Sequence, residues 1–224
     1  MIKILQVSNV DSFVKSRRQK ASQKDRKIVQ SILDDVRKNG DSAVKKYEQK
    51  FNGKKTTQLR LNTQEAKNAK ITDAEFSALQ LSAIRLSKSQ RTLKKSLIQS
   101  VKKIPDISFV PVPSVGCYIP GGQARYPSSA IMSVITAAEA GVKKIVVVSP
   151  PNSDGKIDPM TITVAQNCGA EIYKVGGAQA IAALAYGTKS IPKVDKIVGP
   201  GGKFVSIAKS LVSCLLYTSP SPRD

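Results

Sequence analysis

The chain has 224 residues, of which 41% are hydrophobic and 23% are charged, and its formal net charge is +20. This length and composition suit one large or two small globular domains and exclude collagen-like, mucin-like and wholly disordered chains. The sequence contains no histidine, which excludes a Ser-His-Asp triad, an HExxH zinc site and an imidazole general base.

Compartment and redox chemistry follow from short sequence features. No apolar run approaches the ~18 residues that a membrane helix needs, and the N-terminus lacks the apolar core of a secretory signal. Three cysteines without a CxxC pair indicate a reducing compartment and no disulfide framework: Cys117, Cys168 and Cys214. We therefore expect a cytoplasmic protein with no membrane partner.

The first half of the chain predicts amphipathic helices over residues 22–39, from Asp41 to Asn52-Gly53, and from Thr72 onward. The third has capping-box spacing, in which Thr72 and Glu75 each accept a hydrogen bond from the other's backbone N–H. Its apolar positions predict a face buried in a core: Phe76, Leu79, Leu81, Ile84, Leu86, Leu93 and Leu97.

The basic excess lies mostly in residues 1–110, and a charge of this size suggests nucleic-acid binding. The lysines there fall mostly opposite the apolar stripes, where a solvated surface is expected. Aromatic residues that could stack on bases fall mostly on core-facing positions: Phe13, Tyr47, Phe51, Phe76 and Phe109. A solvated lysine-rich surface is therefore favoured, and nucleic acid is not the expected partner.

From Ile107 onward, short β-branched runs alternate with helical stretches. The predicted strands are Val115–Ile119, Lys144–Ser149, Glu171–Val175 and Lys196–Val198. The predicted helices are Ser128–Ala140, Met160–Cys168, Gly176–Tyr186 and Phe204–Val212. Nearly all-apolar strands separated by helices indicate a doubly wound α/β domain, with a parallel sheet covered on both faces.

Ligands of such folds bind beyond the carboxyl ends of the strands, which makes three glycine-rich loops candidates: Pro120–Ser129, Gly176–Gln179 and Gly199–Lys203. Each leads into a helix, so its free backbone N–H groups could hold an anion such as a pyrophosphate. Glycine also serves tight turns for purely structural reasons. No GxGxxG motif follows a strand, and Gly202-Lys203 is not a P-loop because Phe204 follows it instead of Ser or Thr.

Four motifs at these loops occur in the order and spacing of the histidinol dehydrogenase family. The chain resembles this family from about residue 20 to residue 213. The motifs are GCYIPGG from Gly116, YPSS from Tyr126, VGGAQAIAALA from Val175 and PKVDKIVGPG from Pro192.

The resemblance implies an enzyme of histidine biosynthesis that oxidises L-histidinol to L-histidine through an aldehyde. It also implies two NAD used in succession, zinc that holds the substrate, and a homodimer. The family's NAD-contacting tyrosine and glutamine fall on Tyr118 and Gln179, whereas its asparagine falls on Gly202, which keeps only a backbone donor. Without the resemblance, Tyr118 would be a core-edge tyrosine and Gln179 a helix-capping glutamine.

The family's zinc ligands and catalytic pair, including several histidines, lie after the matched region. We therefore expect no catalytic or metal-binding residue here, and an inactive fragment. The resemblance implies an N-terminal arm (1–20), part of a first α/β domain with long helices (21–117), and an incomplete Rossmann-like NAD-binding domain (118–213). Residues 214–224 match a translated sequencing-library adapter, and we expect a foreign, unpacked tail.

Two other functions stay open at the level of sequence. One is a basic nucleic-acid-binding protein, whose affinity for polyanions would fall steeply with salt. The other is a non-catalytic nucleotide-binding module that is complete as it stands, which a stop codon directly after Ser213 in the source DNA would support.

Overall fold

The computed structural model describes five stretches of the chain: residues 9–10, 22–53, 58–102, 104–122 and 124–218. At 217–218 only the backbone is described. The predicted N-terminal arm, residues 1–20, lies outside the described residues except for positions 9 and 10. The last six positions of the predicted tail, 219–224, lie outside them as well.

The described residues of the N-terminal part include the helices α1 (Gln23–Asn39), α2 (Asp41–Asn52), α3 (Thr63–Lys67) and α4 (Asp73–Val101). Ser22 caps the start of α1, and the predicted capping box of α4 is formed. Helix α3 was not predicted, because five residues are too few to show an apolar period. Its start is nevertheless fixed by a capping box between Asn62 and Glu65.

The predicted parallel sheet is confirmed. Its strands are β1 (Ser114–Tyr118), β2 (Lys144–Ser149), β3 (Glu171–Lys174), β4 (Lys196–Val198) and β5 (Tyr217–Thr218). All neighbours pair in parallel, in the order β3-β2-β1-β4-β5. The chain therefore leaves β1 in one direction for β2 and β3 and returns to its other side for β4. Such a reversal marks the point where open α/β sheets bind ligands.

Helices connect the strands in alternation, as the sequence predicts. They are α5 (Pro127–Ala130), the π-helical turn Ile131–Ile135, α6 (Thr136–Ala140), α7 (Pro159–Asn167), α8 (Gly177–Tyr186) and α9 (Lys203–Val212). The first three are consecutive, so the predicted single helix has a π-helical turn at its centre. None of the helices among the described residues has the length and apolarity needed to cross a membrane.

Both faces of the sheet carry a hydrophobic core, because successive strand residues point to opposite sides. Val146 and Val148 of β2 pack in the cluster that contains α1, α2, α8 and α9. Ile145 and Val147 pack in the cluster that contains the π-helical turn, α7 and Leu79 of α4. The two N-terminal helices α1 and α2 are therefore part of the same packed body as the sheet.

The predicted burial of the apolar face of α4 is wrong for most of its residues. Leu79 is buried, but the structure leaves Phe76, Leu81, Ile84, Leu93 and Leu97 exposed. Helix α4 has 29 residues and rises about 43 Å, whereas the six residues of β2 span about 20 Å. A helix of this length extends past the layer at its ends. Leu81 and Ile84 lie among Leu79, Ala83 and Leu86, which pack on the core, and are exposed because they point away from it.

Two further aromatic residues depart from the predicted core positions. Phe51 is exposed and stacks on Tyr47 with ring centroids 6.0 Å apart, and Phe109 is also exposed. The prediction that most of the five aromatic rings face the core is therefore wrong, because Phe76 is exposed as well and only Tyr47 is buried among the described ones. Phe13 lies outside the described residues.

The predicted unpacked tail is also wrong in part. Leu216 is 8% exposed and belongs to the core cluster of α9. The backbone of Tyr217–Thr218 pairs with Lys196 and Ile197 as the edge strand β5. The outer edge of β4 presents unpaired N–H and C=O groups, which pair with a neighbouring backbone whatever its side chains. The foreign origin of residues 214–224 stays a prediction.

Close backbone contacts hold the loops at the carboxyl edge of the sheet. Gly199 follows β4 with φ +106°, and a Cβ there would lie 2.1 Å from the carbonyl oxygen of Tyr118 at the end of β1. By contrast, Gly202 has an extended φ of −73°, and its added Cβ would meet no described atom within 4 Å. Glycine is therefore required at Gly199 and not at Gly202.

The packing of the tail predicts a difference between two adjacent leucines. Leu216→Ala should lower the free energy of unfolding by about 2 kcal/mol because it opens a cavity in the core. Leu215→Ala removes the same atoms from a side chain that is 51% exposed and should change stability by less than about 0.5 kcal/mol. Urea unfolding measures both. Equal effects would show that the tail does not pack in solution.

The glycines after β4 predict a second pair of outcomes. Gly199→Ala should lower the free energy of unfolding by more than about 2 kcal/mol, because its Cβ collides with backbone and its φ is positive. Gly202→Ala should cost less than about 1 kcal/mol, the difference between the two residues at an N-cap. Similar losses in both variants would contradict the close approach of Gly199 to Tyr118.

Candidate functional site

The candidate site lies where β1, β3 and β4 end, at one edge of the sheet. Parallel strands place these ends together, and glycine allows the loops to approach closely. A Cβ on Gly176, after β3, would lie 2.5 Å from the Cβ of Pro150, which follows β2. A Cβ on Gly121, after β1, would lie 2.9 Å from the Pro150 carbonyl oxygen.

Tyr118 is the last residue of β1 and is 5% exposed. Its hydroxyl accepts a hydrogen bond from the backbone N–H of Gly177 at 3.2 Å. Burial raises the pKa of Tyr118 to about 12, and the nearby charge of Glu48 contributes to the shift. The phenol is therefore neutral near pH 7, and accepting this bond leaves its own proton able to donate.

Gln179 lies in the first turn of α8 and is 1% exposed. Its side-chain Nε2 donates to Glu48 Oε1 at 2.7 Å. Among the described residues no donor reaches Gln179 Oε1, although that atom is fully buried. A buried amide oxygen without a donor is costly in a folded protein, so a donor from outside the described residues is expected at this atom.

The alternative role of Gln179 as a helix-capping glutamine is wrong. Gln179 occupies the third position of α8, from which a capping side chain would accept the N–H of the N-cap residue Gly176. That N–H instead donates to Glu48 Oε1 at 2.9 Å. The carboxylate of Glu48, from α2, thus takes the place of the capping side chain.

Glu48 was missed by the sequence analysis, although a signal for it existed. It is 0% exposed and accepts hydrogen bonds from Gly176, Gln179 and Asn52 Nδ2. Burial raises the pKa of Glu48, and the hydrogen bonds from these groups oppose the shift. The residue lies four positions after Val44, on the apolar stripe of α2. An acid on a buried helical face is expected to have a partner.

The structure brings Tyr118 and Gln179 to one glycine, Gly177. Tyr118 bonds to its N–H, and a Cβ on Gly177 would lie 2.7 Å from Gln179 Oε1. Gly202, the third predicted contact, is the N-cap residue of α9. No described atom lies within 4 Å of a Cβ built on it. Among the described residues no hydrogen bond joins Gly202 to Tyr118 or Gln179.

The predicted supply of free N–H groups for an anion is only partly present at the Gly176–Gln179 loop, where two of the four are already bonded. The N–H of Gly176 is bonded to Glu48 and that of Gly177 to Tyr118. A buried carboxylate at this position repels a second anion. At the Gly199 loop the buried ionisable side chain is basic instead of acidic. Lys209 is buried there, and its Nζ donates a hydrogen bond to the Gly199 carbonyl oxygen at 3.4 Å.

An apolar groove of about 700 Å³ runs between α4, residues 109–112 and the helices that follow β1, and it reaches Gly199 and Pro200 after β4. Its lining is mostly apolar and includes Leu93, Leu97, Phe109, Val110 and Met132. Exposed apolar surface of this kind is typical of a contact with another protein segment.

Metal ligands do not converge anywhere in the described part of the chain. No group of three Cys, Asp, Glu or His side chains that could hold a metal ion is found there. Burial raises the pKa of the Cys117 thiol to about 12, so this cysteine is a buried neutral side chain and a poor zinc ligand.

Known relatives share this sequence over most of its length. The family description "Histidinol dehydrogenase" matches residues 15–217. The histidinol dehydrogenase of Dehalococcoides mccartyi is 45% identical over 190 residues, which cover 83% of this chain and 44% of that protein. The histidine biosynthesis trifunctional protein of Neurospora crassa is 43% identical over 213 residues, which cover 91% of this chain and 24% of that protein.

A solved structure has the same fold. The crystal structure of histidinol dehydrogenase from Elizabethkingia anophelis superposes with a TM-score of 0.80 and 30% sequence identity. The match covers 91% of this chain and 48% of that one. The chain thus spans less than half the length of these single-function relatives. Since the family description matches most of its residues, the chain belongs to the histidinol dehydrogenase family.

Proposed function

We propose that this chain binds NAD at the carboxyl edge of its sheet, as part of an enzyme that oxidises L-histidinol to L-histidine through the aldehyde. Membership of an oxidoreductase family of histidine biosynthesis supports the reaction. The strand order supports the location, because the chain reverses direction at β1 and β4, between which Gly199 meets Tyr118.

The buried, unpartnered Oε1 of Gln179 is the observation that carries this proposal. A ligand that donates a hydrogen bond to this oxygen would remove the cost of leaving it unsatisfied. The hydroxyl and amino groups of NAD are donors of that kind. The adjacent Tyr118 has a hydroxyl proton to donate and a ring against which an apolar part of the cofactor could lie.

NAD, when bound, would supply the acceptor for the hydride that leaves the substrate. The residues of this chain would bind and orient it. In this proposal Tyr118 and Gln179 contact the cofactor through side chains, and Gly202 contacts it through its backbone. Gly202 has room for such a contact, because no described atom lies within 4 Å of a Cβ built on it.

Zinc does not fit the residues that the structure describes, since they contain no cluster of three suitable ligands. The sequence also lacks histidine, which is the usual catalytic zinc ligand. We therefore assign zinc, the catalytic groups and the histidinol contacts to no residue of this chain. We propose that other parts of the full-length enzyme supply them.

The domain division and assembly are also proposed. Residues 118–213 would form the NAD-binding domain, residues 21–117 part of a first domain and residues 1–20 an arm for dimer contacts. A homodimer agrees with the exposed apolar residues of α4, which include Leu93 and Leu97. The cytoplasm is the proposed location, as for an enzyme of amino-acid biosynthesis.

NAD⁺ binding by this chain tests the proposed site. Gln179→Ala should weaken binding about fivefold, which corresponds to one lost net hydrogen bond of about 1 kcal/mol. Tyr118→Ala should have an effect of similar size. Calorimetric titration measures each affinity, and Gln166→Ala, at an exposed glutamine of α7, is the matched control. Adenine nucleotides should compete with NAD⁺, and random-sequence DNA should not. Wild-type affinity in the Gln179 variant would contradict the assignment.

Turnover by this chain alone should be absent. With L-histidinol, NAD⁺ and added zinc, we expect no NADH formation, because the sequence has no histidine to accept the hydroxyl proton near neutral pH or to bind zinc. Absorbance of NADH measures the reaction, with the Dehalococcoides mccartyi enzyme as positive control. Measurable turnover by this chain would show that its own residues suffice for the chemistry.

A further inference from the structure

The buried carboxylate of Glu48 has no role in the function proposed so far. Glu48 comes from α2, which precedes every strand of the sheet in the sequence. Its donor partners Gly176 and Gln179 lie 128 and 131 positions further along the chain. A carboxylate that is 0% exposed is costly to bury unless its hydrogen bonds are made. Here two of the three donors are residues at the start of α8, and the third is Asn52 Nδ2.

The orientation of the Gln179 amide follows from the chemistry of its partner. Glu48 Oε1 receives two donors, the Gly176 N–H and Gln179 Nε2. An ionised carboxylate can only accept, so the amide must turn its NH₂ group toward Glu48. The other end of the amide, Oε1, then faces Gly177 and has no donor among the described residues.

The charge of Glu48 decides what can bind at this end of α8. Helix N-termini attract anions because their first N–H groups carry partial positive charge. At α8 the carboxylate itself takes the Gly176 N–H, and Tyr118 takes the Gly177 N–H. A phosphate placed here would meet a buried negative charge and find these two N–H groups already bonded. A neutral group that donates a hydrogen bond meets the free Gln179 oxygen.

We propose that Glu48 is a positioning residue that holds the Gln179 amide with its oxygen toward the ligand. This subsite therefore accepts a neutral O–H or N–H donor of the nucleotide and rejects its pyrophosphate. The inference rests on the proposed function, since it concerns the same site. It adds a residue from the N-terminal helices and states which chemical part of the ligand lies against α8.

Three variants test the positioning role by calorimetric titration with NAD⁺. Glu48→Ala frees the Gln179 amide to rotate and should weaken binding about fivefold, as Gln179→Ala does. The double variant should be no weaker than either single variant, because both act through one hydrogen bond to the ligand. Glu48→Gln keeps an acceptor for Gly176 and Gln179 and should restore affinity to within about twofold of wild type.

A matched control separates positioning from stability. Glu65 is an acid of α3 that accepts a hydrogen bond from Lys174 Nζ at 2.6 Å, at the end of β3, and not from Gln179. Glu65→Ala should lower the urea midpoint without changing NAD⁺ affinity. If Glu48→Ala binds NAD⁺ like wild type while Gln179→Ala does not, the positioning role is overturned. Additive losses in the double variant would overturn it too.

Small probes test which part of the ligand lies here. Adenosine should shift the NMR signal of the Gln179 side-chain amide, and inorganic pyrophosphate should not. Purine riboside, which lacks the amino group, should keep the shift if the donor is a hydroxyl and lose it if the donor is that amine. A shift with pyrophosphate alone would overturn the proposed selectivity.

Hydrogen exchange of the Gln179 side-chain amide keeps the proposal testable if Glu48→Ala does not fold. In the wild-type chain this NH₂ group should exchange at least about tenfold more slowly than that of the exposed Gln166, because it is buried and bonded to Glu48. Equal exchange rates would overturn the positioning role. Failure of the wild-type chain to bind NAD⁺ would instead contradict the proposed function, and the exchange measurement would still test the Glu48 contact.

Discussion

The hydrogen bonds accepted by the Glu48 carboxylate connect the N-terminal helices to the carboxyl edge of the sheet. Without them, α1 and α2 would still cover one sheet face through apolar contacts. Those contacts are non-directional, however, and do not fix the loop at Gly176 or the amide of Gln179. The polar contacts fix both the loop and the amide, because each oxygen of the carboxylate has a defined donor.

This arrangement bears on how the chain is divided. The resemblance suggests a boundary between Cys117 and Tyr118, with the nucleotide site entirely on the C-terminal side. In the structure the side chain that orients Gln179 comes from α2, and α1 packs against α8 and α9 in one core. The division suggested by sequence and the physical packing therefore differ. The candidate site includes residues from both sides of the proposed boundary.

Much of the fold was predictable because its signals are local. Strand composition, the capping box of α4 and the glycine turns each occupy a few neighbouring residues, and each predicts its element. Three features depend on distant partners and were missed or wrong. Glu48 finds Gly176 across 128 positions, β5 pairs through backbone alone, and α4 is longer than the layer beneath it.

The site itself was predictable only through the family resemblance. Tyr118 and Gln179 are ordinary residues of a strand end and a helix start, and nothing in their spacing shows that they meet at Gly177. The missing donor at Gln179 Oε1 becomes evident only once the fold places Glu48 on the other end of the amide. Local sequence patterns can show that such a residue is polar and buried. They do not show which way its side-chain amide is turned.

The most direct test of the account is an NMR titration of this chain with NAD⁺, in which backbone and side-chain amide signals locate the contact surface. If NAD⁺ binds at the proposed site, the largest shifts occur at the Gly177 backbone and the Gln179 side chain. Shifts confined to residues of the apolar groove, such as Leu93 and Met132, with Gly177 and Gln179 unchanged, would contradict it.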